Sequence, residues 1–168
     1  IFLYKKKQSE KLEQLQNFEA RKAELLEELR CAEAKLDAAS HNLSKNRQFY
    51  SEKLEKEIVE ELKELNFADV KFGIAFSKMD HYTKQGFDMI EFQISTNPGE
   101  PVKALTKVVS GGELSRIMLA IQTVLSAHDD LDTMIFDEVD TGISGSAAQK
   151  VGLKLHEVSR YAQVICIT

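Results

Sequence analysis

The stretch that decides the fold is Thr133-Met134-Ile135-Phe136-Asp137-Glu138. Its short apolar run, Met134 to Phe136, is typical of a buried parallel strand. Residues 113–127 before it carry apolar side chains at helical spacing, residues 147–158 after it are also helical in pattern, and residues 164–167 form a second buried strand. Helix, strand, helix and strand in this order predict an α/β fold with a parallel sheet.

Two further strands are predicted upstream of this region. Apolar side chains alternate with period two from Val70 to Phe76 and again from Ile90 to Ile94, with a polar, glycine-containing connection between them. Both prolines of the chain lie in the following segment, residues 97–101, where they favour a loop because neither fits a helix interior or a strand ladder.

The first part of the chain is predicted to be one long helix. From about Ser9 to Leu65 it has no glycine or proline, and good helix formers dominate. Between Leu25 and Leu43 the apolar residues alternate in steps of four and three, the heptad seam of a coiled coil that needs a partner helix. We therefore predict a projecting helical arm over residues 1–66 and a lobe over residues 67–168. A helical hairpin broken near residues 40–42 is the alternative.

The net charge, the cysteine content and the lengths of the apolar runs limit which classes of protein the chain can belong to. The net charge of −5 and the pI near 5.5 show no basic excess, so any contact with DNA has to come from a local patch or another segment. The two cysteines are far apart in sequence with no CxxC pattern, which argues against a zinc site or a disulfide framework and favours a cytosolic setting. No apolar run reaches the roughly 20 residues of a membrane span. Since the chain does not begin with methionine, we expect it to be a piece of a longer protein.

A glycine-rich turn precedes the first helix of the lobe: Ser110-Gly111-Gly112-Glu113-Leu114-Ser115. Paired glycines let backbone N–H groups approach an anion, a serine hydroxyl adds a ligand, and the helix N-terminus contributes unpaired donors and a favourable dipole. The turn is therefore a candidate phosphate cradle. The alternative is an ordinary glycine loop with Ser110 as the helix cap.

Two adjacent carboxylates end the central strand. Asp137 is placed to hold Mg²⁺ directly or through water, as the aspartate of a Walker B strand does. Glu138 leaves the sheet edge toward the crevice, where it could orient and deprotonate a water that attacks a γ-phosphate. The alternative is a solvated acidic turn made of Asp137, Glu138 and Asp140.

The two motifs are separated by one helix and one loop, the spacing of the signature motif and Walker B strand in ABC-type ATPases. From Asn97 to Thr168 the sequence resembles the RecN family of bacterial DNA-repair ATPases, which belongs to the SMC-like ABC class. The residues that carry the resemblance are Asn97–Glu100, Val109–Arg116 and Ile135–Gly145. The helical arm agrees with the family only in kind, because coiled coils share composition easily.

The resemblance implies the C-terminal lobe of an ABC-type P-loop ATPase head with a long coiled-coil helix, acting in DNA double-strand break repair and recombination. Two heads form a homodimer, and the signature residues of one head act on ATP held by the other. Those residues are Ser110, Gly111, Gly112 and Glu113. The D-loop at the dimer interface contains Asp140, Thr141, Gly142 and Ser144, and Ser144 departs from the aspartate of transporters. ATP and Mg²⁺ are the implied cofactors, and DNA is a partner of the complete protein.

No GxxxxGK[ST] motif occurs in the chain. In the family this Walker A loop lies in an N-terminal lobe before the coiled coil, so that lobe is an expected partner. We predict that the segment alone does not hydrolyse ATP, because it lacks the main phosphate ligands. The complete protein is expected to be cytoplasmic and associated with the nucleoid, without a membrane segment.

Several alternatives stay open on sequence alone. Arg116, one turn into the signature helix, is either a phosphate contact or a surface arginine. The protein is a RecN-like ATPase, another SMC-like DNA-maintenance ATPase, or a coiled-coil scaffold whose α/β end performs no chemistry. A transporter nucleotide-binding domain shares both motifs but lacks the long heptad helix. The four histidines receive no function.

Overall fold

The computed structural model describes residues 2–108 and 110–167, apart from the side chain of Gln14. The chain divides into two compact units, Ile1–Lys45 and Asn46–Thr168. The elements are helix α1 (Phe2–Glu64), strands β1 (Lys71–Thr83), β2 (Gly86–Ser95) and β3 (Lys103–Ala104), a 3-10 helix (Leu105–Lys107), helix α2 (Gly111–Leu125), strand β4 (Thr133–Asp137), helix α3 (Ser146–Val158) and strand β5 (Gln163–Ile167).

Helix α1 is continuous, as the lack of glycine and proline predicted. The alternative of a hairpin near residues 40–42 is wrong, since the helix passes through them without a break. In the first unit the leucines of the predicted seam, Leu25, Leu29, Leu36 and Leu43, are exposed. The role of this unit as a coiled-coil arm stays a prediction.

The last turns of α1 belong to the second unit and form part of its core. Ile58 and Leu62 are completely buried and pack with Ile94 and Ile117 from other elements. The helix ends at Glu64, and two residues later Asn66 adopts a left-handed conformation, φ 71°, while the Phe67 N–H donates to the Leu62 carbonyl at 3.1 Å. A left-handed asparagine is a common helix terminator because it turns the chain at low steric cost. The division predicted at residues 66 and 67 stays a prediction: helix α1 ends at Glu64, whereas the compact unit begins at Asn46.

Helix α1 is also hydrogen-bonded to the first sheet. The Glu55 carboxylate accepts from the N–H of Ile74, at 2.7 Å, on the edge strand β1. Farther up the helix, Arg47 donates to the Asp88 carboxylate and to the Gln85 carbonyl, both at 2.9 Å. An unpaired strand edge is a liability for aggregation, and the Glu55 carboxylate satisfies one of the free N–H groups on this edge.

Two sheets make up the second unit. Strands β1, β2 and β3 form an antiparallel sheet in which Ile74 lies opposite Phe92, and this confirms the two strands predicted upstream. Strands β4 and β5 are parallel, with Met134 opposite Val164, and α3 forms the connection between them. The α/β class and the parallel pairing are thus confirmed.

The prediction that β4 and β5 are buried is wrong for one face of this sheet. Met134 and Phe136 are buried, but Ile135 between them is 65% exposed, and Ile165 and Ile167 on β5 are also exposed. Alternate side chains of a strand point to opposite faces. On the first face Met134 and Phe136 pack into the core and Val164 does so in part, whereas Cys166 is exposed; no element within residues 2–108 and 110–167 covers the second face.

A cluster of charges joins α3 to the end of α1. The ammonium group of Lys154 lies 2.5 Å from the Glu61 carboxylate and 2.8 Å from that of Glu64, and the Lys154 side chain is only 11% exposed. Burial alone would lower the pKa of Lys154, but the hydrogen bonds to Glu61 and Glu64 outweigh it and raise the pKa above its ordinary value. The lysine is therefore held in its charged form as a link between the two helices.

Replacing Lys154 by methionine is expected to lower the free energy of unfolding by about 1–3 kcal/mol, because the two glutamates lose their shared cation and repel each other. The matched control is Lys53→Met, which removes an exposed pair with Glu57 at 3.5 Å. That change should amount to no more than about 0.5 kcal/mol. Urea denaturation followed by circular dichroism measures both, and equal effects would contradict the structural role of Lys154.

Candidate functional site

The glycine-rich turn forms the N-terminus of α2. Ser110 is the cap residue, with φ −84° and ψ 121°, and its hydroxyl accepts from the Glu113 N–H at 3.4 Å. This distance is longer than usual for an N–H···O bond, so the hydroxyl is only weakly engaged by its own helix. Ser110 and Gly111 are exposed while Gly112 is buried. The turn therefore presents its first two residues to solvent at the positive end of the helix.

The acidic pair follows strand β4. Asp137 is the last residue of the strand, and both Asp137 and Glu138 are exposed. Glu138 has a positive φ of 56°, which costs a non-glycine residue on the order of 1–3 kcal/mol. Its N–H still donates to the Ile167 carbonyl of β5 at 3.1 Å, and its carbonyl accepts from the Thr141 N–H at 3.0 Å. The chain thus turns sharply at Glu138 while both backbone groups stay paired.

The glycine-rich turn and the acidic strand end are in contact within one chain. A methyl group added at Gly111 would collide with the Glu138 carboxylate. One added at Gly112 would lie 3.0 Å from the Thr141 carbonyl oxygen and 3.1 Å from that of Glu138. Side-chain atoms could move aside at Gly111, but backbone carbonyls at Gly112 cannot easily do so. The close approach of α2 to the loop after β4 therefore favours glycine at 112.

The loop after Glu138 is exposed at Asp140, Thr141, Gly142 and Ser144. Gly142 and Gly145 have positive φ angles, 74° and 58°, which a residue with a side chain rarely adopts. Gly145 directly precedes α3, so the loop connects the acidic turn to that helix. The structure places all four predicted D-loop residues on this exposed loop, next to the glycine-rich turn.

Arg116 is not a surface residue, so that alternative is wrong: it is 8% exposed. Its guanidinium donates to the Thr141 carbonyl at 2.8 Å and lies 5.7 Å from the centre of the Phe67 ring. Burial lowers the pKa of Arg116, and the Glu113 carboxylate partly opposes this. The structure therefore directs this arginine to a backbone carbonyl of its own chain.

Sequence reasoning assigned no role to Ser115, although its hydroxyl donates to the Asp137 carbonyl. The only signal in the sequence was that a serine and an arginine lie in the first turns of the helix, three and four residues after Gly112. Their partners could not be read from the sequence, because they depend on how closely α2 approaches the end of β4.

Candidate metal ligands are few at this site. Among the described residues no three His, Cys, Asp or Glu side chains are grouped so that they could hold a metal ion. Mg²⁺ bound together with a nucleotide needs only one or two protein carboxylates, with phosphate and water oxygens as its other ligands. The exposed Asp137 carboxylate fits that limited requirement.

The chain is similar over its length to bacterial DNA repair proteins named RecN. It is 39% identical to RecN of Bacillus subtilis in a match that covers 100% of this chain and 32% of that protein. The match to RecN of Halalkalibacterium halodurans is also 39% identical, over 95% of this chain and 29% of that protein. RecN of Vibrio cholerae is 42% identical over 78% of this chain and 24% of its own length. No protein-family profile matches the chain.

Solved structures that are similar to the chain include the SmcHead bound to the C-winged helix domain of ScpA, with a TM-score of 0.49 and 20% identity over 72% of this chain and 35% of that one. The matches in sequence confirm the predicted resemblance to the C-terminal segment of RecN. The chain spans about a third of the length of the first two relatives. Within the described part of the chain no helix has the length and apolar content that crossing a bilayer requires.

Proposed function

Because this chain is RecN-like in sequence over its whole length, we propose that it is part of an SMC-like ATPase that acts in DNA double-strand break repair and recombination. The observation that carries the proposal is the contact between the glycine-rich turn and the acidic strand end. Either motif alone has an ordinary structural explanation. Side by side and exposed, they offer amide donors for phosphate next to carboxylates suited to a metal and a water molecule.

In this proposal two heads close around ATP. The turn of one head, Ser110, Gly111, Gly112 and Glu113, contacts nucleotide that is held by the Walker A loop of the other. The Ser110 hydroxyl accepts from the Glu113 N–H in the cap bond, so its own proton is available to donate to a phosphate oxygen. The exposed loop with Asp140, Thr141, Gly142 and Ser144 lies at the interface between the heads. Gly142 has a φ of 74°, which glycine adopts easily because it has no side chain, and this allows the loop to turn.

The two carboxylates have separate tasks. Asp137 at the strand end would hold Mg²⁺, which would neutralise charge on the phosphates. Glu138 accepts a proton from the attacking water and orients it. The positive φ of Glu138 turns the chain away from the direction of β4. The Glu138 carboxylate therefore lies beside Gly111 at the N-terminus of α2, whereas Asp137 is still part of the strand.

The remaining parts of the proposal concern the complete protein. It contains an N-terminal lobe with Walker A, it forms a homodimer through the ATPase heads, and it binds DNA. It is cytoplasmic and associated with the nucleoid. The relatives carry the name DNA repair protein, which supports this assignment. Another SMC-like DNA-maintenance ATPase and a non-catalytic scaffold are the competing functions.

An ATPase assay on two proteins tests the proposal. The 168-residue chain alone is expected to show no turnover above background, because it has no Walker A lysine or phosphate loop. The complete protein is expected to hydrolyse ATP with a specific activity that rises with protein concentration, since each site needs residues from two heads. No hydrolysis by the complete protein would support the scaffold function. A specific activity independent of concentration, measured across the dimerisation range, would contradict a shared site.

A further inference from the structure

We propose that Ser115 and Arg116 are positioning residues that together clamp the turn carrying Glu138 and tie it to helix α2. The proposal rests on the proposed ATPase function, in which Glu138 acts on the attacking water. Neither residue needs to touch the nucleotide in this arrangement. Each acts by holding a backbone carbonyl of the loop from which Glu138 projects.

The two contacts bracket Glu138 in the chain. The hydroxyl of Ser115 donates to the carbonyl of Asp137, the residue before Glu138. The guanidinium of Arg116 donates to the carbonyl of Thr141, at 2.8 Å, three residues after it. Ser115 and Arg116 are consecutive residues of one helix, so the two ends of the turn are fixed to one rigid element.

The turn needs such a restraint because Glu138 has a positive φ of 56°, a conformation that a residue with a side chain rarely adopts. Backbone strain of this kind persists only where the surroundings over-determine it. Two main-chain hydrogen bonds, to Ile167 and from Thr141, hold Glu138 itself. The Ser115 and Arg116 contacts add restraint from a different element, on the side where the carboxylate faces Gly111.

Arg116 is placed for this role and not for contact with a phosphate. It is 8% exposed, and the Phe67 ring lies 5.7 Å from its guanidinium carbon. A phosphate ligand has to reach the crevice, whereas this side chain ends at the Thr141 carbonyl. A buried guanidinium that lost this hydrogen bond would leave one of its N–H groups unpaired, which favours keeping the contact through the reaction cycle.

The clamp couples the glycine-rich turn to the turn that carries Glu138. Residues 110–113, which contact the nucleotide in the proposed function, are the cap and first turn of the helix that carries Ser115 and Arg116. Any shift of α2 as two heads close therefore moves the Glu138 turn with it. Because of the clamp, the glycine-rich turn and the Glu138 carboxylate of one head move together as a rigid unit.

The experiment measures steady-state ATP hydrolysis by the complete protein carrying Ser115→Ala, Arg116→Met or Arg116→Lys. We expect kcat to fall about 10- to 100-fold in Ser115→Ala and Arg116→Met, while the KM for ATP stays within about twofold, because a misplaced base slows chemistry without weakening binding. Arg116→Lys keeps a cation that can donate to Thr141 and should retain more turnover than Arg116→Met. The matched controls Ser159→Ala and Arg160→Met change exposed residues and should leave kcat unchanged.

The outcomes separate this proposal from the proposed function. If wild-type protein has no turnover, the proposed function fails, and if Glu138→Gln leaves turnover intact, the proposed role of Glu138 as the base fails. If both tests support that function but Ser115→Ala and Arg116→Met keep wild-type kcat, the clamp is overturned. A raised KM with unchanged kcat in Arg116→Met would make this residue a phosphate ligand and also overturn it. Ser115→Ala removes one oxygen atom at a partly exposed position, so it keeps the test decisive should Arg116→Met fail to fold.

Discussion

Replacing Glu138 by glutamine in the complete protein is expected to lower ATP turnover by roughly 10²- to 10⁴-fold, the usual contribution of a general base. Glutamine keeps the size of the side chain but cannot accept a proton from water. Its amide also fits the space beside Gly111 that the carboxylate occupies. We therefore expect the fold and ATP binding to persist, and closed dimers to accumulate because hydrolysis no longer opens them.

Two measurements check this prediction. Phosphate release gives kcat, and equilibrium binding of a fluorescent ATP analogue gives the affinity. The matched control is Glu91→Gln, which changes an exposed carboxylate on β2, away from the acidic turn, and should leave both values unchanged. A Glu138→Gln protein that hydrolyses ATP at more than about a tenth of the wild-type rate would rule out Glu138 as the base.

Replacing Ser110 by arginine should also reduce turnover by about 100-fold or more, for a different reason. Ser110 is exposed at the N-terminus of α2, where the proposed function brings the phosphates of nucleotide bound to the other head. A long cationic side chain would keep the heads apart by bulk, and misplacing the reacting groups by even 1 Å can cost about 100-fold in rate. Binding of ATP to the Walker A lobe should be nearly unaffected.

The control for Ser110→Arg is Ser110→Ala, which removes the cap hydroxyl without adding bulk. Loss of a serine cap typically costs about 1 kcal/mol of stability, and the 3.4 Å bond here should place the effect at the low end. Analytical ultracentrifugation with ATP, in a Glu138→Gln background that prevents hydrolysis, reports whether dimers form. If Ser110→Arg dimers form as readily as those with serine, the turn does not act across the interface.

Local sequence patterns were sufficient for the long helices and strands of this protein, but not for the short strand β3 or the 3-10 helix that follows it. The unbroken helix α1 followed from a stretch without glycine or proline, because nothing in it opposes helix propagation. The strands around Ile74 and Phe92 followed from period-two alternation, and the parallel pair β4 and β5 from the order of helices and apolar runs. Both halves of the candidate site were visible because each consists of neighbouring residues: Ser110 to Gly112, and Asp137 with Glu138.

Burial of the second sheet could not be read from the same patterns. Ile135 lies within an apolar run that predicted burial on both faces, yet it is largely exposed. A run of apolar residues shows what a strand can bury, whereas the elements that pack against each face decide what it does bury.

Only the tertiary structure placed the two motifs in contact and revealed what holds them there. The approach of Gly112 to the Thr141 carbonyl, the bonds from Ser115 and Arg116 to the acidic loop, and the positive φ of Glu138 all depend on how α2 packs against the end of β4. Sequence by itself determined which residue types and periods were present, since those express local preferences of the backbone. Which carbonyl a buried arginine meets is decided by packing between residues far apart in the chain, and no local pattern encodes it.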